Sequence, residues 1–370
     1  MKILVVGSGI SGATIARGLA ANNHEITVID KNDHIGGNCY DYFDENGIDI
    51  HLHGTHIFHT DDKKVWNFLS QFTQWYPYMH KVLALVDGQL VPIPFNLNSI
   101  EQIFPPVLAN RLIDKLLSHF TFNTKVPILK LMQTGDEDLL FLAEFIYEKV
   151  FLRYTLKQWG LRPEELDPSV TARVPVSVSR DNRYFQNIYQ GVPLHGYTEM
   201  INRMLDHENI CICLQTPYDQ RMYNKYDRIY YTGPIDEFFS YKFGELPYRS
   251  LKFDFLSFDR PYFQCNSVIN YPYNYDFTRI GEYKYFLGTI SNKTVVSYEY
   301  PQNFLKGQNE RYYPIPSNAN QDLYCRYLKE AKQYTNKVTF LGRLGDYKYY
   351  DMDRAVSRAL DVLQLQNDLS

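Results

Sequence analysis

Gly7, Gly9 and Gly12 stand at GxGxxG spacing, and Asp30 follows about 20 residues beyond them, a combination suited to a pyrophosphate and a ribose. Gly7 allows a tight turn. Gly9 lets a phosphate approach the backbone, and Gly12 lets a helix and a strand pack closely. Ser11 lies inside the same turn, where the first N–H groups of a helix point outward unpaired. A second conspicuous set is His51, His53, His56 and His59. No carboxylate or cysteine partner stands beside them at a useful metal-ligand spacing, so they are expected to be core or cofactor-facing histidines, on a loop running from Asp49 to His59. No HExxH, P-loop, GxSxG or zinc spacing occurs, and no metal is expected.

The elements around the glycines fit the chemistry. Lys2–Val6 is an apolar run of strand type, Ala13 to Asn22 has helical composition, and residues 25–30 form a second strand ending in Asp30. Strand, turn, helix and strand make a complete dinucleotide unit. Asp30 is followed by His34-Ile35-Gly36-Gly37-Asn38, which resembles the loop that crosses FAD in the glutathione-reductase and amine-oxidase class. Arg228 to Pro234, an apolar strand ending in Thr-Gly, is similar to the return strand of that class. Phe340 to Asp346, then Tyr350-Asp351-Met352 and a helix to about Leu363, resemble its closing strand and helix. Together they point to FAD.

Those three stretches are far apart, so the FAD-binding domain is discontinuous. It is expected over 1–80, 208–240 and 335–370. Residues 99–170 carry helical stripes (Leu108, Leu112, Leu116; Leu139, Leu142, Phe145, Ile146) and are expected to form a helical domain. Segments 81–98, 171–207 and 241–334 read as antiparallel sheet. Their clearest hairpin runs from Val82 to Val86, turns at Asp87-Gly88 and returns through Gln89-Leu90-Val91. The predicted class is α/β: a discontinuous Rossmann-like domain with a helical insert and an antiparallel β-sheet domain.

Composition narrows the partners. The chain has 370 residues, 38 basic against 42 acidic, and a net charge of -4, so no general field favours nucleic acid. No apolar run approaches the ~20 residues of a membrane span. The first strand is too short for a signal-peptide core, and five cysteines without a CxxC pair fit free thiols, so a cytoplasmic protein is expected. The 32 tyrosines suit both a sheet core and a site that stacks rings and binds sugars.

Over nearly the whole chain, ordered strings resemble the bacterial UDP-galactopyranose mutase family. They include His56-Ile57-Phe58-His59-Thr60, Pro94-Phe95-Asn96, Tyr154-Thr155 with Lys157-Gln158-Trp159-Gly160, Arg173-Val174-Pro175-Val176 and Tyr189-Gln190-Gly191. Tyr248 to Phe253, Thr278-Arg279-Ile280, Tyr312-Tyr313-Pro314 and Tyr347 to Met352 continue the series, and only about residues 100 to 147 lack a clear match. The resemblance implies an isomerase that interconverts pyranose and furanose forms of a nucleotide sugar, UDP-galactose foremost, through a covalent adduct with reduced FAD. Such enzymes supply galactofuranose for cell-surface polysaccharide.

By the same resemblance Arg173 and Arg279 would hold the two phosphates, with His56 at the reactive edge of the flavin. Phe151, Tyr154, Thr155 and Trp159 would hold base and ribose, and Tyr184, Asn270, Tyr313 and Tyr349 would complete the substrate pocket. Gly7, Gly9, Ser11, Gly12, Asp30, Asn38, His56, Ile57, Arg343, Asp351 and Met352 would lie against FAD. A homodimer is compatible with this reading. The chain departs from the family pattern at His80, at His51-Leu52-His53-Gly54-Thr55 and at Gly281-Glu282-Tyr283, positions that bear on the sugar. Mutases for UDP-N-acetylgalactosamine, dTDP-fucose or GDP-heptose, an FAD oxidoreductase of the amine-oxidase type, and a catalytically inert nucleotide-sugar binder stay open as alternatives.

Overall fold

The computed structural model describes residues 1–165 and 175–367. The chain divides into two compact units. The first comprises Met1–Tyr78, Asn187–Ser250 and Asn303–Ser370, and the second Met79–Gln186 and Leu251–Gln302.

The first unit is built on a fully parallel sheet in the order Ile210–Cys213, Glu25–Ile29, Lys2–Val6, Arg228–Tyr231, Val338–Phe340. Ile3 to Val6 are buried at the sheet centre, as a strand covered on both faces requires. The helix Ile10–Ala20 packs on the helix Met352–Asn367. A Cβ at Gly18 would sit 2.3 Å from Leu363 Cδ1, so the absent side chain sets that approach. The Arg228–Tyr231 return strand stands as the sequence predicts, and so does the helix from Met352, whereas the closing strand comes earlier than expected, at Val338–Phe340, followed by a short helix Gly342–Gly345.

The region from Asp49 to His59, expected as a loop, is instead two short strands joined by a turn. Asp49–His51 pairs antiparallel with Asp41–Phe43, and Phe58–Thr60 pairs with Tyr189–Gly191. The ladder with Asp41–Phe43 makes Asp49–His51 a strand, and its period of two puts Asp49 and His51 on one face. Asp62 caps the following helix Lys63–Leu69, accepting from Lys64 N and Val65 N. Segments 187–207, 241–250 and 303–334, expected with the antiparallel sheet, lie in the first unit. Tyr189–Pro193 pairs there with Phe58–Thr60 and Trp75–Tyr76. Helix Asn318–Ala331 buries Tyr324, Tyr327 and Ala331 in one cluster with Ile235, Leu246 and Tyr347.

The second unit joins the helical segments and the hairpin. Val82–Val86 and Gln89–Ile93 are turned by Asp87 (φ 47°) and Gly88 (φ 84°), both left-handed as a tight two-residue hairpin turn demands. Val268–Asn270 adds parallel to the hairpin, followed by Arg279–Glu282 and Thr294–Asn303, both antiparallel. Helices include Leu97–Ile103, capped reciprocally by Asn96 and Ser99, Pro106–His119 and Glu137–Ile146. A continuous helical stretch from Tyr147 to Trp159 ends at Gly160, whose φ is 69°. Among the described residues, no helix is long and apolar enough to cross a membrane.

Candidate active site

The glycine turn is shaped by what its residues lack. Gly7 has φ 100°, and a Cβ there would meet Thr232 Oγ1 at 2.1 Å; Thr232 in turn donates to Val6 O. A Cβ on Gly12 would lie 1.9 Å from Gly7 O, inside the backbone of its own turn. Gly9 is different, with only ordinary contacts ahead of it, to Gly36 O at 3.7 Å and Gly37 Cα at 3.9 Å. The helix Ile10–Ala20 starts with no side-chain cap and no acidic residue in its first turn. Its free N–H groups and positive dipole end are thus available to an anion.

The turn opens on a cavity of about 270 Å³. Of the residues expected at the cofactor, Gly7, Gly9, Ser11, Gly12, Asp30, Asn38, His56, Arg343, Asp351 and Met352 all line it, whereas Ile57 is buried outside the lining. Asp30 also ties the turn down: Oδ2 accepts from Ser8 N (2.8 Å) and Ser8 Oγ (2.7 Å), and Oδ1 from Asn32 N (3.0 Å). Oδ1, with one bond accepted, keeps lone-pair capacity for a ribose hydroxyl. An uncapped helix end, a glycine cradle and an acid at the strand end together fit a dinucleotide cofactor.

At the other end of the lining, Arg343 donates twice to Tyr350 O (2.7 and 3.2 Å). Its guanidinium lies 5.7 Å from the ring centres of both Tyr313 and Tyr349, which meet edge to face at 5.1 Å. The His56 ring is held neutral, its pKa pushed well down by burial and by neighbouring His51 and Arg343. Burial and the nearby His34 push His53 down to about 4, and its Nδ1 bonds Tyr312 OH at 2.7 Å.

The reading that no carboxylate partners these histidines is corrected by the fold. Asp41, Asp49 and His51 form a buried cluster whose possible ligand atoms all lie within 4.8 Å of one another. Asp49 reaches His51 because residues two apart on a strand share a face, and Asp41 because it is the cross-strand partner of His51. Burial lowers the His51 pKa, but the charge and hydrogen bond of Asp49, with Asp41, more than offset it, so the net shift is upward. Both Asp41 oxygens are already engaged, accepting from Tyr197 N and Thr198 N at the start of helix Tyr197–Leu205.

In the second unit, Arg279 and Asn270 are cross-strand partners. Arg279 Nη2 donates to Tyr154 OH at 2.6 Å, and its Nε lies 3.4 Å from Glu299 Oε1, on the next strand in register. Burial drives the Tyr154 hydroxyl pKa far up, so it stays protonated, and Tyr184 is among its electrostatic neighbours. Phe151, Thr155 and Trp159 are buried along the same helical stretch. Lys157 donates to Tyr271 O (2.7 Å) and Phe277 O (3.1 Å), and burial brings its pKa down to about 8. Arg173 lies outside the described residues. Glu299 was not foreseen; its signal is an acid at an inward position of the apolar strand Thr294–Asn303. Neither was Arg311, which lines the cofactor cavity, pairs with Glu237 at 3.1 Å and stacks on Phe304.

A Rossmann-type sheet with a glycine-cradled cavity defines a dinucleotide-dependent protein, and the comparisons with known proteins narrow it. An NAD(P)-binding Rossmann-like domain model matches residues 5–72, and the UDP-galactopyranose mutase model matches residues 149–349. A Klebsiella pneumoniae protein named "Probable UDP-galactopyranose mutase" is 40% identical over 97% of this chain and 93% of its own. A dTDP-fucopyranose mutase of Escherichia coli is 36% identical over 98% of both chains. A Mycoplasma pneumoniae UDP-galactopyranose mutase is 35% identical over 96% of this chain and 94% of its own. A crystal structure of a reduced UDP-galactopyranose mutase superposes with a TM-score of 0.73 at 16% identity, covering 100% of this chain and 94% of that one. That likeness concerns the fold, as does a TM-score of 0.60 with a putrescine oxidase. The chain belongs to the UDP-galactopyranose mutase family and is an isomerase of that family.

Proposed function

We propose that this protein interconverts the pyranose and furanose forms of a nucleotide sugar, UDP-galactose foremost, with reduced FAD in the glycine-lined cavity. The observation that carries the reading is near-full-length relatedness to pyranose mutases in a chain whose own cavity is cradled for a dinucleotide. Gly7, Gly9, Ser11 and Gly12 would receive the pyrophosphate and Asp30 a ribose hydroxyl, with Asn38, His56, Ile57, Arg343, Asp351 and Met352 toward the flavin. Bound and reduced, FAD supplies a nitrogen nucleophile for the anomeric carbon.

The chain's own residues bind, orient and balance charge. Arg279, and by the family pattern Arg173, neutralise the diphosphate through a planar fork that matches phosphate oxygens. Tyr154 and Glu299 hold the Arg279 fork in one orientation before substrate arrives. Phe151, Thr155 and Trp159 take the base and ribose beside Tyr154, while Tyr184, Asn270, Tyr313 and Tyr349 contact the sugar and phosphates. The neutral His56 ring lends a hydrogen-bonding edge without adding charge. The five cysteines are all free thiols, which supports a reducing, cytoplasmic setting.

A second reading, dTDP-fucopyranose as substrate, is favoured by the 36% identical Escherichia coli relative. Purified protein is incubated with dithionite and either UDP-galactopyranose or dTDP-fucopyranose, and products are separated by chromatography. Furanose from the first sugar supports the main reading, and furanose from the second alone supports the other. No furanose from either sugar by FAD-loaded, reduced protein overturns both.

A further inference from the structure

We infer that His51 and Tyr197 are positioning residues that grip the His56 peptide from its two ends and so fix the imidazole at the cofactor cavity. The grip is read from this chain's own hydrogen bonds; what the ring does there rests on the proposed function.

His56 sits in a turn between two strands, after Gly54 (φ 97°), and its backbone has no sheet partner. Backbone groups in such a turn must find partners elsewhere. Here both are supplied by buried side chains. His51 Nδ1 accepts from His56 N at 2.9 Å, and Tyr197 OH donates to His56 O at 3.2 Å. The two gripping rings also pack edge to face at 5.6 Å and 86°.

Each grip is anchored in turn. In the grip Nδ1 is the acceptor, so the ring is neutral with its proton on Nε2, which faces Asp49 Oδ2 at 3.4 Å. Asp49 therefore favours the tautomer that leaves Nδ1 able to accept, as second-sphere carboxylates do for functional histidines. The raised pKa of His51 means that acid opens the grip by protonating Nδ1. On the other side, Asp41 caps the helix that begins at Tyr197, and a Cβ at Gly196 would fall 2.9 Å from Asp41 Oδ1. Asp41 is also the cross-strand partner of His51, so both grips trace to one two-stranded ribbon. The cluster could suggest a metal, but each Asp41 oxygen already accepts a backbone N–H at the helix start, a bond a metal ligand would have to compete with, and this favours a scaffold over a ligand set.

The test uses FAD-loaded protein with His56→Ala, His51→Leu, His51→Asn and Tyr197→Phe. His56→Ala should displace the flavin absorption bands and lower kcat roughly tenfold or more, with KM little changed. His51→Leu should reproduce most of that change. The amide oxygen of His51→Asn can stand in for Nδ1 and should restore most of it. Combining His51→Leu with His56→Ala should add little, because one acts through the other. A folded, FAD-loaded His51→Leu protein with wild-type spectrum and kcat would overturn the inference, as would full additivity. Should His51→Leu fail to fold, Tyr197→Phe, which removes the other grip, should shift the flavin bands and lower kcat, and wild-type values in that variant would overturn the inference. Independently of FAD, 15N NMR of labelled histidines at mildly alkaline pH should show His51 as the Nε2–H tautomer, and the Nδ1–H form would break the grip. If the protein binds no FAD, the proposed function falls while the tautomer still decides the grip.

Discussion

The two units hold their reactive positions by opposite means. In the first, backbone makes the site: left-handed Gly7, a helix start without a cap, and a Gly12 packed against Gly7 O. In the second, side chains make it: the Arg279 fork is set by a tyrosine hydroxyl and a buried carboxylate. Backbone cradles fail abruptly when a single carbon is added, whereas side-chain ladders fail by degrees.

Gly12→Ala should break the cradle most completely. Its Cβ would lie 1.9 Å from a backbone oxygen, which no rotamer change relieves. The expected cost reaches or exceeds the ~3 kcal/mol upper end of usual overpacking, with FAD binding lost. Gly9→Ala sharpens the contrast, since its Cβ meets nothing closer than 3.7 Å. That variant should fold normally yet bind FAD weakly. Thermal melts and flavin titration read both, and wild-type affinity in Gly9→Ala would mean that no phosphate approaches there.

The first unit also holds a titratable weakness. His53 has its pKa pushed down to about 4 from an ordinary 6.5, so its contribution is present above 6.5 and lost as pH falls toward 4. Between those values the unfolded chain binds the extra proton, and stability should drop by up to ~3 kcal/mol. His53→Gln should flatten that part of the melting-temperature profile. An unchanged profile would show that other groups govern acid unfolding.

How much of this the sequence revealed follows the same division. Gly7, Gly9, Gly12 and Asp30 were legible because a backbone site demands particular residues at fixed local spacing. The return strand at Arg228–Tyr231 was legible because an apolar run ending in Thr-Gly is local too. The grip on His56 was not, because Asp41, Tyr197 and His51 converge only through strand pairing and a helix cap. The strand Asp49–His51 was missed because three residues are too few for periodicity to register. In the second unit, Arg279 was found by resemblance, while Glu299 needed the register of two antiparallel strands.

For the side-chain ladder, Arg279→Ala should slow turnover about tenfold to a few-hundredfold, since a charge-assisted bond to phosphate contributes roughly 1.5–3 kcal/mol. Lysine should restore only part, because it keeps charge but not the fork. FAD content should stay normal, since Arg279 and the glycine turn belong to different units. Wild-type turnover in flavin-replete Arg279→Ala protein would remove Arg279 from the substrate site.

Tyr154→Phe should give the smallest effect and the most specific one. It deletes a single hydroxyl, the acceptor of Arg279 Nη2 at 2.6 Å, while leaving the buried ring and the Glu299 contact in place. Losing one such bond to a charged group that keeps another partner should cost about 1 kcal/mol, several-fold in kcat/KM. If the hydroxyl acts by aiming the guanidinium, its loss should matter less once the fork is gone. Tyr154→Phe added to Arg279→Lys should then lower kcat/KM by less than it does alone, which a double-mutant cycle measures. Strict additivity would mean that Tyr154 meets the substrate in its own right, and that the fork in the second unit is aimed by Glu299 without it.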